Sequence, residues 1–201
     1  MNPLKNIIFD FGGVLIDWNP TYLYRKIFDK EEDMNYFLEN VCRHDWNLLQ
    51  DGGRPLSVAT KTLQEQYPEY HDEIAMYYGR WAEMLGGTID ENVMLIKPLK
   101  KMYKVYGLTN WSAETIPVAM ERYGFFNDLD GIVVSGAEKT VKPYPQLYRI
   151  ILDRYRIQAG ESLFIDDNFG NIETARQLGF QTIHFTGQIN LEETLKSKGI
   201  L

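Results

Sequence analysis

Three apolar residues, Ile7-Ile8-Phe9, run straight into Asp10-Phe11-Gly12-Gly13. A short apolar run that stops on a carboxylate and two glycines predicts a buried strand ending in a tight turn at the edge of a sheet. Four more strand-like runs follow, at 104–109, 131–134, 162–165 and 181–185. Helical patterns separate them. Ser112-Ala113-Glu114-Thr115 is expected to open one helix with a capping hydroxyl and an acid in its first turn. A second is predicted over 144–155 and a third over 172–178, ending at Gly179. Strands alternating with helices predict an α/β fold, a Rossmann-like parallel sheet with helices on both faces.

Residues 18–87 break this rhythm. Apolar residues recur there at helical spacing, among them Tyr22, Ile27, Phe28, Tyr36, Phe37, Met76, Tyr77 and Trp81, and no strand is evident. Connections in α/β units usually span about 2 to 6 residues, so the segment is expected to be an inserted helical cap, hinged to the sheet at two places. The division is then 1–17 and 88–201 for the core and 18–87 for the cap.

Composition narrows the classes. Hydrophobic residues make up 44% of the 201 and charged residues 24%, an ordinary globular balance that excludes disordered and fibrous chains. The net charge of −7 argues against nucleic acid and anionic membrane surfaces as partners. A single cysteine, Cys42, permits no intrachain disulfide and no thiolate metal cluster, and is expected to be a small buried apolar residue. No run approaches the roughly 18 apolar residues of a membrane span. The first apolar run meets charge too soon for a secretory leader, so the expected location is cytoplasmic.

Four short motifs stand in order, each after a predicted strand: Asp10-Phe11-Gly12-Gly13, Leu108-Thr109-Asn110, Lys142-Pro143, and Asp166-Asp167-Asn168. Ligands of open α/β sheets collect at the carboxyl ends of the strands, so these distant residues are expected in one cleft. Clustered carboxylates repel unless a cation lies between them, and an all-oxygen set suits magnesium. A hydroxyl, a lysine and backbone N–H groups of the glycine turn would then hold phosphoryl oxygens, and an aspartate beside the metal can attack phosphorus.

The ordered set resembles the haloacid dehalogenase superfamily of aspartate-nucleophile hydrolases, over essentially the whole chain, with the insert where that family carries its C1-type cap. The first and fourth motifs look like those of its sugar-phosphatase-like subgroup. The resemblance implies a phosphatase of small phosphorylated metabolites, sugar phosphates among them, working with Mg²⁺. By position it makes Asp10 the nucleophile and a metal ligand, adds the Gly12 carbonyl and Asp167 as further ligands, and sets Asp166 behind them. Phe11 and Gly12 of the turn, with Thr109, Asn110 and Lys142, would grip the phosphate. Trp18, Arg43, His44 and Trp46 are the candidate substrate contacts from the cap, although aromatics at helical spacing usually belong to a core. One of Asp166 and Asp167 is expected to cap the following helix, and His184 to be structural.

The sequence departs from the family pattern at two positions. Most phosphatases of this group carry a second aspartate two residues after the nucleophile, as the acid that protonates the leaving oxygen; here that position is Gly12. Asn171 stands where many members have aspartate. Without the acid, leaving groups that bear charge well, such as anomeric sugar phosphates and aryl phosphates, are expected to be favoured. Two other readings compete. A 2-haloacid dehalogenase also lacks that acid but needs no metal, which the pair Asp166-Asp167 argues against. A non-catalytic binder of phosphorylated ligands would have no reason to keep nucleophile, lysine and acidic pair together.

Overall fold

The computed structural model describes residues 3–201. Among the described residues seven strands occur in chain order: β1 (Asn6–Phe9), β2 (Ile16–Trp18), β3 (Leu85–Thr88), β4 (Lys104–Thr109), β5 (Gly131–Val134), β6 (Ser162–Asp166) and β7 (Gln181–His184). Five of them form one sheet in the order β5-β4-β1-β6-β7, with every pair parallel. Alternate residues feed opposite faces, as a pleated strand requires: Ile7 and Phe9 enter one buried cluster, and Ile8 enters the other with Leu108 and Phe164.

The helices are α1 (Thr21–Tyr24), α2 (Glu31–Asn40), α3 (His44–Asp51), α4 (Leu56–Gln66), α5 (His71–Gly79), α6 (Asp90–Val93), α7 (Ile96–Lys100), α8 (Ile116–Arg122), α9 (Ser135–Glu138), α10 (Pro145–Tyr155), α11 (Phe169–Gln177) and α12 (Leu191–Ser197). The first five lie between β2 and β3 and make up the helical insert. No helix among the described residues is long and apolar enough to cross a membrane.

Two expectations change. The insert is not free of strands at its ends, because β2 and β3 pair antiparallel, with a register shift at Asp17/Trp18. Strands of three and four residues, one carrying Gly86-Gly87, are too short to show a period of two. The helix expected from Ser112 begins four residues later. The Ser112 hydroxyl instead accepts the Glu114 N–H at 3.2 Å in a local turn, and the helix starts with Pro117 in its first turn, where a missing N–H costs nothing.

The buried apolar side chains of the insert and of one sheet face form a single cluster. Leu23, Phe37, Leu63, Tyr77 and Trp81 belong to the same contiguous set as Ile7, Phe9, Val105 and Ile165.

Candidate active site

Asp10 follows β1 directly, is 7% exposed, and has its N–H bonded to the Ile165 carbonyl of β6. The chain then reverses around the Phe11 carbonyl, which accepts the N–H groups of Val14, Leu15 and Ile16 at 3.2, 2.8 and 2.8 Å. The Phe11 ring is in the core, edge-on to Phe126 with centroids 5.0 Å apart. Its offering to the site is therefore backbone, and its N–H donates to Asp10 Oδ1 at 2.7 Å. Gly13 has φ +72°, and a Cβ there would collide with the Asp167 carboxylate. Two independent reasons thus require glycine at this position.

Lys142 is 1% exposed and donates to three acceptors: the Leu108 carbonyl at 2.9 Å, Asp166 Oδ2 at 2.7 Å and Asp10 Oδ1 at 3.0 Å. Burial disfavours its charge, but Asp10 and Asp166 outweigh burial and hold the ammonium above its ordinary pKa. Asn110 grips the same lysine by its backbone, donating Nδ2 to the Lys142 carbonyl at 2.9 Å and accepting the Lys142 N–H on Oδ1 at 2.7 Å. Thr109, one residue earlier and fully buried, has a hydroxyl with no hydrogen-bond partner. A buried orphan hydroxyl costs free energy unless a ligand completes it.

Asp166 is wholly buried and saturated. Besides Lys142 it accepts the Asn168 N–H at 2.8 Å and Asn171 Nδ2 at 3.0 and 3.1 Å. Such a carboxylate orients the lysine and has little left for a cation. Asn171 explains its own departure from aspartate: an amide donates to Asp166, where a carboxylate would repel it. The helix cap expected of Asp166 or Asp167 belongs to Asn168, whose side chain accepts the Asn171 N–H at 3.2 Å. His184 sits at the end of β7 with Nε2 2.9 Å from the Asp167 carbonyl.

Asp10, Asp166 and Asp167 each present a carboxylate oxygen within 4.8 Å of the others. Burial, only partly offset by Lys142 and aggravated by Asp166 and Asp167, pushes Asp10 up to about 7. With Asp166 occupied, Asp10, the exposed Asp167 and the carbonyl of the open turn at Gly12 remain to offer oxygen. A hard divalent cation fits this donor set and would relieve the crowding of charge.

A cavity of about 480 Å³ opens over these groups, floored by Asp10, Gly12, Asn110, Lys142 and Asp167. Trp18, Tyr78, Trp81 and Trp111 give its walls an aromatic part, beside polar residues such as Asn47, Ser112 and Thr115. Trp18 stands where expected, with its indole Nε1 buried and unpartnered. His44 also lines the cavity. Arg43 and Trp46 do not. Arg43 lies at the surface paired with Asp45, and Trp46 is packed edge-on against Tyr77 in the core of the insert, centroids 5.1 Å apart. The correction follows from local geometry: Arg43 is the extended residue that precedes α3, and Trp46, two positions after His44 on the helix, points to a different side of it. Nothing in the sequence singles out Asp51, which also lines the cavity. Trp111 had a signal, being next to Asn110.

The sequence model of the family described as haloacid dehalogenase-like hydrolase matches residues 4–179. A sesquiterpene phosphatase of Aspergillus oryzae is 25% identical over 185 residues, covering 92% of this chain and 91% of its own. A D-ribitol-5-phosphate phosphatase of Bacteroides thetaiotaomicron is 23% identical, covering 89% and 90%. Among solved structures, a family enzyme of the same bacterium in its magnesium complex superposes with a TM-score of 0.72 at 20% identity, over 90% of this chain and 92% of that one.

Proposed function

The chain belongs to the haloacid dehalogenase-like hydrolases, and from that footing we propose that it is a magnesium-dependent phosphatase of a small phosphorylated metabolite, working through an aspartyl-phosphate on Asp10. The observation that carries this reading is the Lys142 ammonium shared between Asp10 at 3.0 Å and Asp166 at 2.7 Å. Its charge works against the burial that raises Asp10, and its hydrogen bond aims that carboxylate, as a nucleophile must be aimed.

In the proposed reaction, Asp10 Oδ bonds to phosphorus while the bond to the ester oxygen breaks and its electron pair leaves with that oxygen. Water then cleaves the acyl phosphate and frees Asp10. The Thr109 hydroxyl and the N–H groups of Asn110 and Gly12 hold phosphoryl oxygens; Lys142 and the Phe11 N–H, which both donate to Asp10 Oδ1, share those bonds with the phosphoryl group as Asp10 attacks, and Asp166 keeps Lys142 in place. Asp10, Gly12 and Asp167 would hold Mg²⁺, which when bound neutralises phosphoryl charge. A second carboxylate open to the cavity, Asp167, supports this over the metal-free dehalogenase reading. The aromatic wall favours a leaving group with an apolar face, which a sugar ring, an aryl group and an isoprenoid all offer.

Phosphate release from 4-nitrophenyl phosphate tests the proposal. EDTA should abolish it, added magnesium should restore it, and Asp10→Asn should leave under about 1% of the rate in a folded protein. Activity indifferent to EDTA, or retained by Asp10→Asn, would sink the proposal.

A further inference from the structure

Gly12 leaves the departing oxygen without an acid from the first motif, yet the cavity holds a carboxyl that no step above uses. Asp51 ends α3 and is the one acid that the insert contributes to the cavity wall among the described residues, facing the space shared with Asp10 and Asp167. Its backbone is tied to the sheet. Ser135 Oγ, at the start of α9 directly after β5, donates to the Asp51 carbonyl at 2.5 Å and accepts the Trp111 N–H at 2.9 Å. The tip of α3 is thereby fixed to the loop after β4, at the residue next to Asn110. Within the insert, Asn47 Nδ2 donates to Asp51 Oδ2 at 3.1 Å, and Asn47 Oδ1 accepts the Tyr78 hydroxyl at 2.9 Å.

We propose that Asp51 is the proton donor to the leaving group in the phosphatase reaction proposed above, on which this inference rests.

The position suits a neutral acid. Burial pushes the Asp51 carboxyl up to about 7, offset in part by the Ser112 amide, and no cation compensates. It also closes a helix, where the negative end of the backbone dipole disfavours a carboxylate. As Asp10 Oδ bonds to phosphorus and the ester P–O bond breaks, the ester oxygen takes its electron pair and the Asp51 proton, leaving as an alcohol. The Asp51 carboxylate then accepts a proton from the water that attacks the acyl phosphate. Inorganic phosphate departs, and Asp10 and protonated Asp51 are restored. Gly12 alone implied a preference for leaving groups that bear charge well; with Asp51 supplying the proton, ordinary alkyl esters become competent substrates.

The test is a series of aryl and alkyl phosphates of increasing leaving-group basicity, with kcat/KM measured for the wild type, Asp51→Asn, Asp51→Glu and Asp10→Asn. We expect a shallow dependence in the wild type. Asp51→Asn should lose on the order of 10²–10³-fold on alkyl esters and under about fivefold on 4-nitrophenyl phosphate, which also reports that the variant folds. Asp51→Glu should recover part of the alkyl-ester rate. Equal loss across the series would overturn the role in proton transfer and leave Asp51 as a packing or binding group. A wild type whose own dependence is already steep overturns it too, without recourse to any variant. Failure of the phosphatase reading is separate and visible: Asp10→Asn would keep its activity across the whole series, whatever Asp51 does.

Discussion

The side chain of Asn110 closes a pair of hydrogen bonds on the backbone of Lys142, donating to its carbonyl at 2.9 Å and accepting from its N–H at 2.7 Å. Two loops 32 residues apart are so locked in register, and the lysine enters the site at a fixed angle. We expect Asn110→Ala to lower kcat by roughly 10–100-fold, the usual cost of misplacing a charged group in a site of this kind, with a smaller change in KM. Steady-state kinetics on 4-nitrophenyl phosphate would check it; an unchanged kcat would mean that Lys142 needs no such brace.

Lys142→Met removes the cation that Asp10 and Asp166 share, leaving two buried carboxylates uncompensated. Breaking a buried pair this way costs about 3–5 kcal/mol, so activity should vanish and Tm should fall at neutral pH. Lys142→Arg keeps the charge but must fit a larger planar fork into a fully buried site, and severe loss, short of that in Met, is expected. The double variant Lys142→Met with Asp166→Asn should recover stability and no activity. Thermal unfolding beside the phosphate assay separates the two effects.

The adjacent glycines of the first motif should answer differently to alanine. A Cβ on Gly12 meets no atom within 4 Å, while one on Gly13 strikes Asp167 from a backbone at φ +72°. Gly12→Ala should therefore keep Tm within a degree or two of the wild type. Gly13→Ala should lower Tm and raise the magnesium concentration for half-maximal activity at least tenfold. Equal behaviour of the two variants in a magnesium titration would refute this.

Asp51 should tax the stability of the fold in a defined pH window. Its folded pKa, about 7, lies above the ordinary 3.8. Below about pH 4 the acid is neutral folded or unfolded. Between about 4 and 7 the unfolded chain releases its proton and the folded chain does not, so stability falls as pH rises, and the loss levels off above 7. The facing groups are His44 and Asn47 on α3, Tyr78 on α5, and Asp10, Lys142 and Asp167 across the cavity. Allowing for partial exposure, we expect Asp51→Asn to gain roughly 1–3 kcal/mol at pH 8 and almost nothing at pH 4. Tm measured against pH for both proteins would show it; a constant difference would not fit.

How much of this the sequence discloses depends on the period of the pattern and on the origin of the neighbours. The parallel strands are legible because each is a short apolar run closed by turn residues, and most of the site's floor because Asp10, Thr109 and Asp167 each stand at or just beyond such a run; Lys142 lies farther on, beyond α9, and is marked only by the proline after it. The walls are another matter. Arg43, His44 and Trp46 lie within four positions of one another, and only His44 reaches the cavity, because which side of α3 faces inward depends on packing against α5 and the sheet. Asp51 is hidden for the same reason: an acid before two glycines reads as a helix end, and its half-buried setting is created by residues far away in the chain.

The single apolar cluster that runs from the insert into one face of the sheet has a consequence for remodelling the protein. An insert whose interior is also the roof of its neighbour is no exchangeable cassette, because grafting in a different one would tear open part of the sheet's own interior. A change in the shape of the cavity is then made with least damage by single substitutions along its wall, at places such as Trp18 or His44, with the helices behind them left whole.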